Sequence, residues 1–433
     1  MKFLNFKSSD GTSKNKTIYS WVLYDWANSA FAVCILTVFY PLFFKNYWDT
    51  GVDATTSTFH LGLSNSISSI IIVLIAPVIG SIADNSSAKK WFLLFFALLG
   101  MLMTAGLYFI QQGEWFIAAS FYVVASIGFM GANVFYDSLL LLVADKSELD
   151  IVSGLGYAFG YVGGGILFLF NIILVSNPEW FGLSDDTLAI RISFISVAVW
   201  WLLFSVPIML YVPEPKTCHS GSVLEIIKAS FVQLKKTFQE IKKFKLILTF
   251  LIAYWLYIDG VDTIVRMSVD YGLSIGLDTN NLITAILITQ FVGFPAAIGF
   301  GFIGHKYGPK RGILLAIIIY IAVTLYAVSM TTTYEFYVMA IIIGLVQGGI
   351  QSLSRSFYAR IIPEDKAAEF FGFYNMMGKF AAVLGPLLVG GVAVMTSSSR
   401  YSMLSLIILF VAGGIILYFI DEKKAVKDII YRT

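Results

Sequence analysis

The chain has 433 residues, 58% of them apolar and only 13% charged, about half the charge of a typical soluble protein. This composition excludes an ordinary soluble domain. The net charge of +2 says little as a sum, because where the charges lie matters more. Met1 to Thr17 is polar and lysine-bearing, with no apolar core before a cleavage site, so no signal peptide is expected. Twelve membrane spans follow, at 18–44, 59–83, 90–111, 115–144, 153–176, 190–212, 246–270, 280–304, 312–331, 334–360, 368–396 and 401–420. Stretches such as Trp91 to Gln112 and Gly312 to Thr333 carry no charge and are each long enough to cross a bilayer as a helix.

The basic residues orient these spans. With the N-terminus in the cytoplasm, those outside the spans all fall inside except Lys45, Arg191 and Arg400. Both termini are therefore expected to be cytoplasmic. The hairpin after span 2, Gly80-Ser-Ile-Ala-Asp84-Asn-Ser-Ser-Ala-Lys89-Lys90, recurs after span 8 as Gly301-Phe-Ile-Gly-His305-Lys306-Tyr-Gly308-Pro-Lys310-Arg311. The two copies align without gaps at an offset of about 221 residues, the scale on which the halves of a carrier repeat. We expect an all-α integral membrane protein of two pseudo-symmetric six-helix bundles, 1–212 and 246–433. The linker between them, 213–245, carries apolar residues at helical spacing among lysines and reads as an amphipathic surface helix. Cys34 in span 1 and Cys218 in the linker should lie at different depths, so no disulfide is expected.

Twelve spans, the repeated Gly-x-x-x-Asp … Lys-Lys hairpin and the long central loop together resemble the major facilitator superfamily. Three strings narrow the resemblance: Tyr24-Asp25-Trp26-Ala27-Asn28-Ser29-Ala30-Phe31, Tyr257-Ile-Asp259-Gly260-Val261-Asp262-Thr263-Ile264 and Gln347-Gly-Gly-Ile-Gln351-Ser-Leu-Ser-Arg355-Ser. They are similar to the branch of fungal vacuolar amino-acid effluxers and their bacterial relatives. The resemblance implies secondary transport, with amino acids as the leading solute class. The hairpin departs from the family pattern at His305, where Asp is usual, and at Asn85 and Ser87, where Arg and Gly are usual.

Charges within a membrane span are costly and normally face a cavity or a partner. Here they are Asp25, Asp137, Asp259, Asp262, Arg266, Arg355 and Lys379. Asp259, Asp262 and Arg266 share one face of span 7. Asp259 is a candidate for binding a proton or a substrate amine, while Arg266 would hold Asp262 ionised. The other reading has all three cementing span 7 to a neighbour. Asp25 shares a face with Asn28 and could exchange a proton on desolvation, or merely fix the helix near the interface. Aligning spans 4 and 10 at an offset of 218 sets Asp137 against Arg355. The resemblance implies that Asp137 attracts Arg355 or Lys379 when the cytoplasmic side is shut. Gln290 and Gln351 are candidate cavity-lining residues. The glycines crowding span 5, among them Gly156, read as close helix packing.

A polytopic enzyme would need a nucleophile or ligand cluster at one surface. His60, His219 and His305 show no metal-ligand spacing, and the glycine-rich run of span 5 lacks the lysine of a phosphate loop. The expectation is a non-enzymatic carrier with no cofactor or metal, working as a monomer without nucleic acid in a bacterial cytoplasmic membrane. Its partners would be the lipid bilayer, a small solute and a coupling proton or sodium ion. A non-transporting receptor or scaffold, or a carrier of nucleosides, peptides or metal chelates, is the alternative. Uptake or export, and symport or antiport, stay open.

Overall fold

A computed structural model describes residues 14–52, 54–86, 88–214, 232, 245–274, 277–396 and 399–421. The linker helix expected over 222–245 falls almost wholly outside the described residues. The first half holds α1 (Asn15–Trp48), α2 (Ala54–Ser86), α3 (Lys89–Gly106), α4 (Trp115–Val143), α5 (Leu149–Ser176) and α6 (Asp186–Tyr211). The second holds α7 (Lys245–Ser274), α8 (Thr279–Tyr307), α9 (Pro309–Ser329), α10 (Thr333–Ile361), α11 (Ala367–Thr396) and α12 (Tyr401–Phe419). Among the described residues, eleven of these helices are long and apolar enough to cross a membrane. The twelfth, α11, has 30 residues, also enough to span.

Local chemistry explains where the helices depart from the expected limits. α3 leaves regular helix at Gly106 and ends in a tight turn, Leu107–Phe109. Arg191 Nε donates to the carbonyl of Tyr108 at 2.6 Å, satisfying one of the orphan acceptors of that helix end. α1 widens into i→i+5 turns at Phe31–Phe39 and Phe44–Trp48, on either side of Pro41. Pro41 has no N–H to give to the preceding turn, and wide turns are one way a helix absorbs that loss.

Each half closes on itself near its basic hairpin. In the first, Lys90 Nζ donates to the carbonyl of Val212 at 2.7 Å, just past α6. The carboxylate of Glu214 accepts the backbone N–H groups of Lys89 and Lys90 at the start of α3. Burial raises the Glu214 carboxyl above its ordinary pKa, opposed by those two N–H donors. In the second half, Lys310 Nζ donates to the carbonyls of Tyr418 and Ile420 at 2.6 and 2.7 Å, at the end of α12. A lysine at the second residue of the third helix thus locks that helix to the last one in each half. Gly308, between α8 and α9, sits at φ 88°, a conformation that favours glycine.

Candidate functional site

Polar contacts between the halves gather at the hairpin end of the molecule. The innermost layer surrounds Arg355 on α10. Asp137 and Arg355 each lie six residues before the end of their helix, about 9 Å along its axis. Arg355 Nη1 stands 3.1 Å from Asp137 Oδ1 and 3.7 Å from Asp25 Oδ2. Its Nε donates to Ser153 Oγ at 2.9 Å and its Nη2 to the Ser153 carbonyl at 3.0 Å. The guanidinium also lies against three aromatic faces, with its Cζ 4.9, 5.4 and 4.4 Å from the ring centres of Trp21, Tyr136 and Tyr157. The Arg355 side chain is only 2% exposed.

The carboxylates are held just as tightly. Tyr136 Oη donates to Asp25 Oδ2 at 3.0 Å, and Asn375 Nδ2 donates to Asp137 Oδ2 at 3.1 Å. Trp21 stacks on Tyr136 at 4.4 Å and donates its Nε1–H to the Tyr136 carbonyl. Space for this cluster depends on Gly156. A Cβ there would lie 2.9 Å from both Arg355 Nη2 and Tyr136 Oη, and 3.0 Å from Asp25 Oδ2. Five helices (α1, α4, α5, α10 and α11) therefore meet at one guanidinium and two carboxylates.

A second layer lies nearer the hairpins. Asp150, fully buried at the start of α5, pairs with Arg360 in the last turn of α10 and accepts the Ser356 hydroxyl at 2.6 Å. Ser153 Oγ donates to the Ser352 carbonyl at 2.8 Å. Breaking one partner of a buried pair costs about 3–5 kcal/mol. Asp150→Ala is therefore expected to lower the melting temperature of the purified protein by several degrees. An unchanged transition would show that this pair contributes no net stability.

The outermost layer is the first hairpin itself. Asp84 pairs with Lys89 at 2.8 Å and accepts the backbone N–H groups of Ala368 and Glu369 at 3.1 and 2.8 Å, the opening turn of α11. A carboxylate there caps free donors and meets the positive end of the helix dipole. Gly80 lets the helices touch, since a Cβ at that position would lie 2.4 Å from the Ala368 carbonyl oxygen. Lys146 and Glu364 add an exposed pair at 3.0 Å. A cysteine at Ser352, placed in a chain lacking Cys34 and Cys218, would be buried in this arrangement. Gly80→Val is expected to raise its labelling rate at least tenfold by forcing α2 and α11 apart. An unchanged rate would count against the close approach.

Asp259, Asn28 and Gln290, also singled out in the sequence, make their contacts away from Arg355. Asp259 is fully buried; its Oδ1 accepts the Gly385 N–H of α11 at 2.9 Å and the Thr263 hydroxyl at 3.3 Å. Asn28 donates to Asn133 Oδ1 at 2.6 Å, joining α1 to α4. Gln290 stands beside Gly165 where α8 crosses α5. Gln351 and Asp262 are half-buried. The side chains of Arg266 and Lys379 lie outside the described residues. In the second hairpin, Gly301 packs on Asp150 and His305 Nδ1 lies 2.9 Å from the Ser147 carbonyl, while Lys306 and Arg311 are exposed. Asp150, Arg360, Ser153, Trp21 and Tyr136 also belong to these layers, outside the residues expected from the sequence. Helical spacing between Trp21 and Asp25 was the one signal that could have pointed to any of them.

The family described as vacuole effluxer Atg22 like matches residues 50–429. The MFS-type transporter YxiO of Bacillus subtilis is 40% identical over 94% of this chain and 95% of its own length. Autophagy-related protein 22 of Eremothecium gossypii is 23% identical over 93% of this chain and 90% of its own. Among solved structures, the proton:xylose symporter XylE superposes with a TM-score of 0.74 at 12% identity, covering 96% of this chain and 98% of that one. FucP in its outward conformation gives 0.67 at 13% identity, covering 94% and 98%.

Proposed function

We propose that this chain, which belongs to the Atg22-like vacuole effluxer family of major facilitator transporters, moves a small polar solute by alternating access and exchanges a proton at Asp25. Amino acids are the solute class to test first, on the resemblance to vacuolar amino-acid effluxers. The observation that carries this reading is the cluster of Asp25, Asp137 and Arg355, which joins the halves near the hairpin end. The positive-inside pattern puts that end in the cytoplasm, so the arrangement corresponds to a carrier shut on its cytoplasmic side. Opening that side would separate Arg355 from Asp137 and Arg360 from Asp150, a bistable pairing of the kind a rocking carrier needs.

Charge counting supports the proton. Two carboxylates share one guanidinium, and a buried site of this kind is balanced when one carboxyl carries a proton. Asp137 takes the direct ion pair at 3.1 Å and the Asn375 amide. Asp25 stands farther off, at 3.7 Å, and meets the Tyr136 hydroxyl. It is therefore the carboxyl to assign to exchange, with Asp259 assigned to holding α11 in place.

Uptake into proteoliposomes tests this. The standard amino acids are screened under an imposed pH gradient in the parent, Asp25→Asn and Asp259→Asn proteins. Asp25→Asn is expected to keep counterflow while losing gradient-driven accumulation. Accumulation that survives in Asp25→Asn but fails in Asp259→Asn would transfer the coupling role to span 7. Flux of other solutes but of no amino acid would end the substrate reading and leave the carrier standing.

A further inference from the structure

A cavity of about 500 Å³ opens on the outer face of the second half, between α9 and α12. Its walls include Leu314 and Ile318 on one helix and Phe410, Ile415 and Tyr418 on the other, and Gly414 forms its floor. The transport cluster uses none of these residues. The adjacent glycine pair explains the shape of the groove. Gly413 is required by packing, because a Cβ there would lie 2.9 Å from the Tyr257 nitrogen. Gly414 is not: a Cβ there would meet only Ile317, at an ordinary 3.4 Å. A larger residue at 414 would fit and would fill the groove, yet this chain keeps a helix-weakening glycine there.

The groove has a charged end. Arg311 precedes Leu314 by three residues and Ile318 by seven, so it stands on the same face of α9, toward the hairpin, and is exposed. Beside it, Lys310 ties α9 to the end of α12 through the Tyr418 and Ile420 carbonyls, 5.6 Å from the Tyr418 ring. Asp421 is the one acidic group among the described residues following α12. The groove is thus an apolar slot that starts at a basic edge and runs toward the middle of the span.

We propose that this groove binds one anionic phospholipid, with an acyl chain lying over Gly414 and the phosphate at Arg311. A polar solute would find almost no polar group in the slot, and a neutral lipid would gain nothing from Arg311. Basic residues between membrane helices on the cytoplasmic side are suited to anionic headgroups. The site is independent of the transport cluster, so its failure would leave the transport reading untouched.

Thermal unfolding of the delipidated full chain in detergent tests the proposal. Phosphatidylglycerol and phosphatidylcholine of identical acyl chains are added separately, and bound lipid is counted by native mass spectrometry. Phosphatidylglycerol is expected to raise the melting temperature by several degrees more than phosphatidylcholine, with one molecule retained. Arg311→Gln should reduce the phosphatidylglycerol response to that of phosphatidylcholine. Ile318→Trp fills the slot from a position 63% exposed, so it need not disturb packing, and should remove the retained molecule. Gly414→Leu should do the same from the floor. Equal responses to the two lipids in the parent would overturn the proposal. So would an undiminished phosphatidylglycerol response in Arg311→Gln and Ile318→Trp, which would mean annular lipid only.

Discussion

Arg355→Ala is expected to abolish transport and to raise labelling of the Ser352 cysteine by orders of magnitude. The substitution leaves Asp25 and Asp137 facing each other in a dry site whose cation is gone. Removing one partner of a buried charge pair costs about 3–5 kcal/mol, and every 1.4 kcal/mol is tenfold in an equilibrium. The shut arrangement alone keeps the carboxylates from water, so most of the penalty should fall on it, shifting the equilibrium toward the open one by about a thousandfold. Arg355→Lys keeps the charge but cannot reproduce the fork that reaches Asp137 and both oxygens of Ser153. It should show intermediate labelling and residual flux. Full transport with unchanged labelling in Arg355→Ala would remove this residue from the mechanism.

The second large effect is expected from Gly156→Val, which changes no charge. Its Cβ would press on Arg355, Tyr136 and Asp25 together. These groups are held by several hydrogen bonds and three ring faces, so they have little room to yield. Transport should fall at least a hundredfold and the Ser352 cysteine should become accessible. Gly299→Val is the control, because its Cβ would meet nothing within 4 Å, and its flux should stay near that of the parent. Equal behaviour of the two variants would show that crowding at the cluster is tolerated. A loss of flux in Gly156→Val with the cysteine still protected would place its effect on the solute path instead of on closure.

The path from residues to site was readable in parts, for physical reasons. Charges inside spans are rare enough to stand out, so aligning spans 4 and 10 set Asp137 against Arg355, while the resemblance left Arg355 and Lys379 both open as its partner. Asp150 and Arg360 could not be matched in this way, because a charge at a helix end is ordinary in sequence. Only the crossing of α5 and α10 buries them. The aromatics on Arg355 are Trp21, one turn before Asp25, and two tyrosines from other helices, a set that no single span encodes. Asp259 was legible as a buried acid, but its acceptance of a backbone N–H from α11 depends on a neighbour that span 7 does not encode. Helix ends shifted where a partner such as Arg191 took up terminal carbonyls.

The matching lysine locks bear on how the molecule could be taken apart. Lys90 holds the end of α6 and Lys310 holds the end of α12, so neither bundle borrows its final fastening from the other. A chain severed within 215–244 would leave both fastenings whole. Two separately translated fragments should then each fold and find each other through the α2–α11 and α5–α8 faces. The same independence suits an origin in which one ancestral six-helix unit, able to close on itself, was copied and joined to itself.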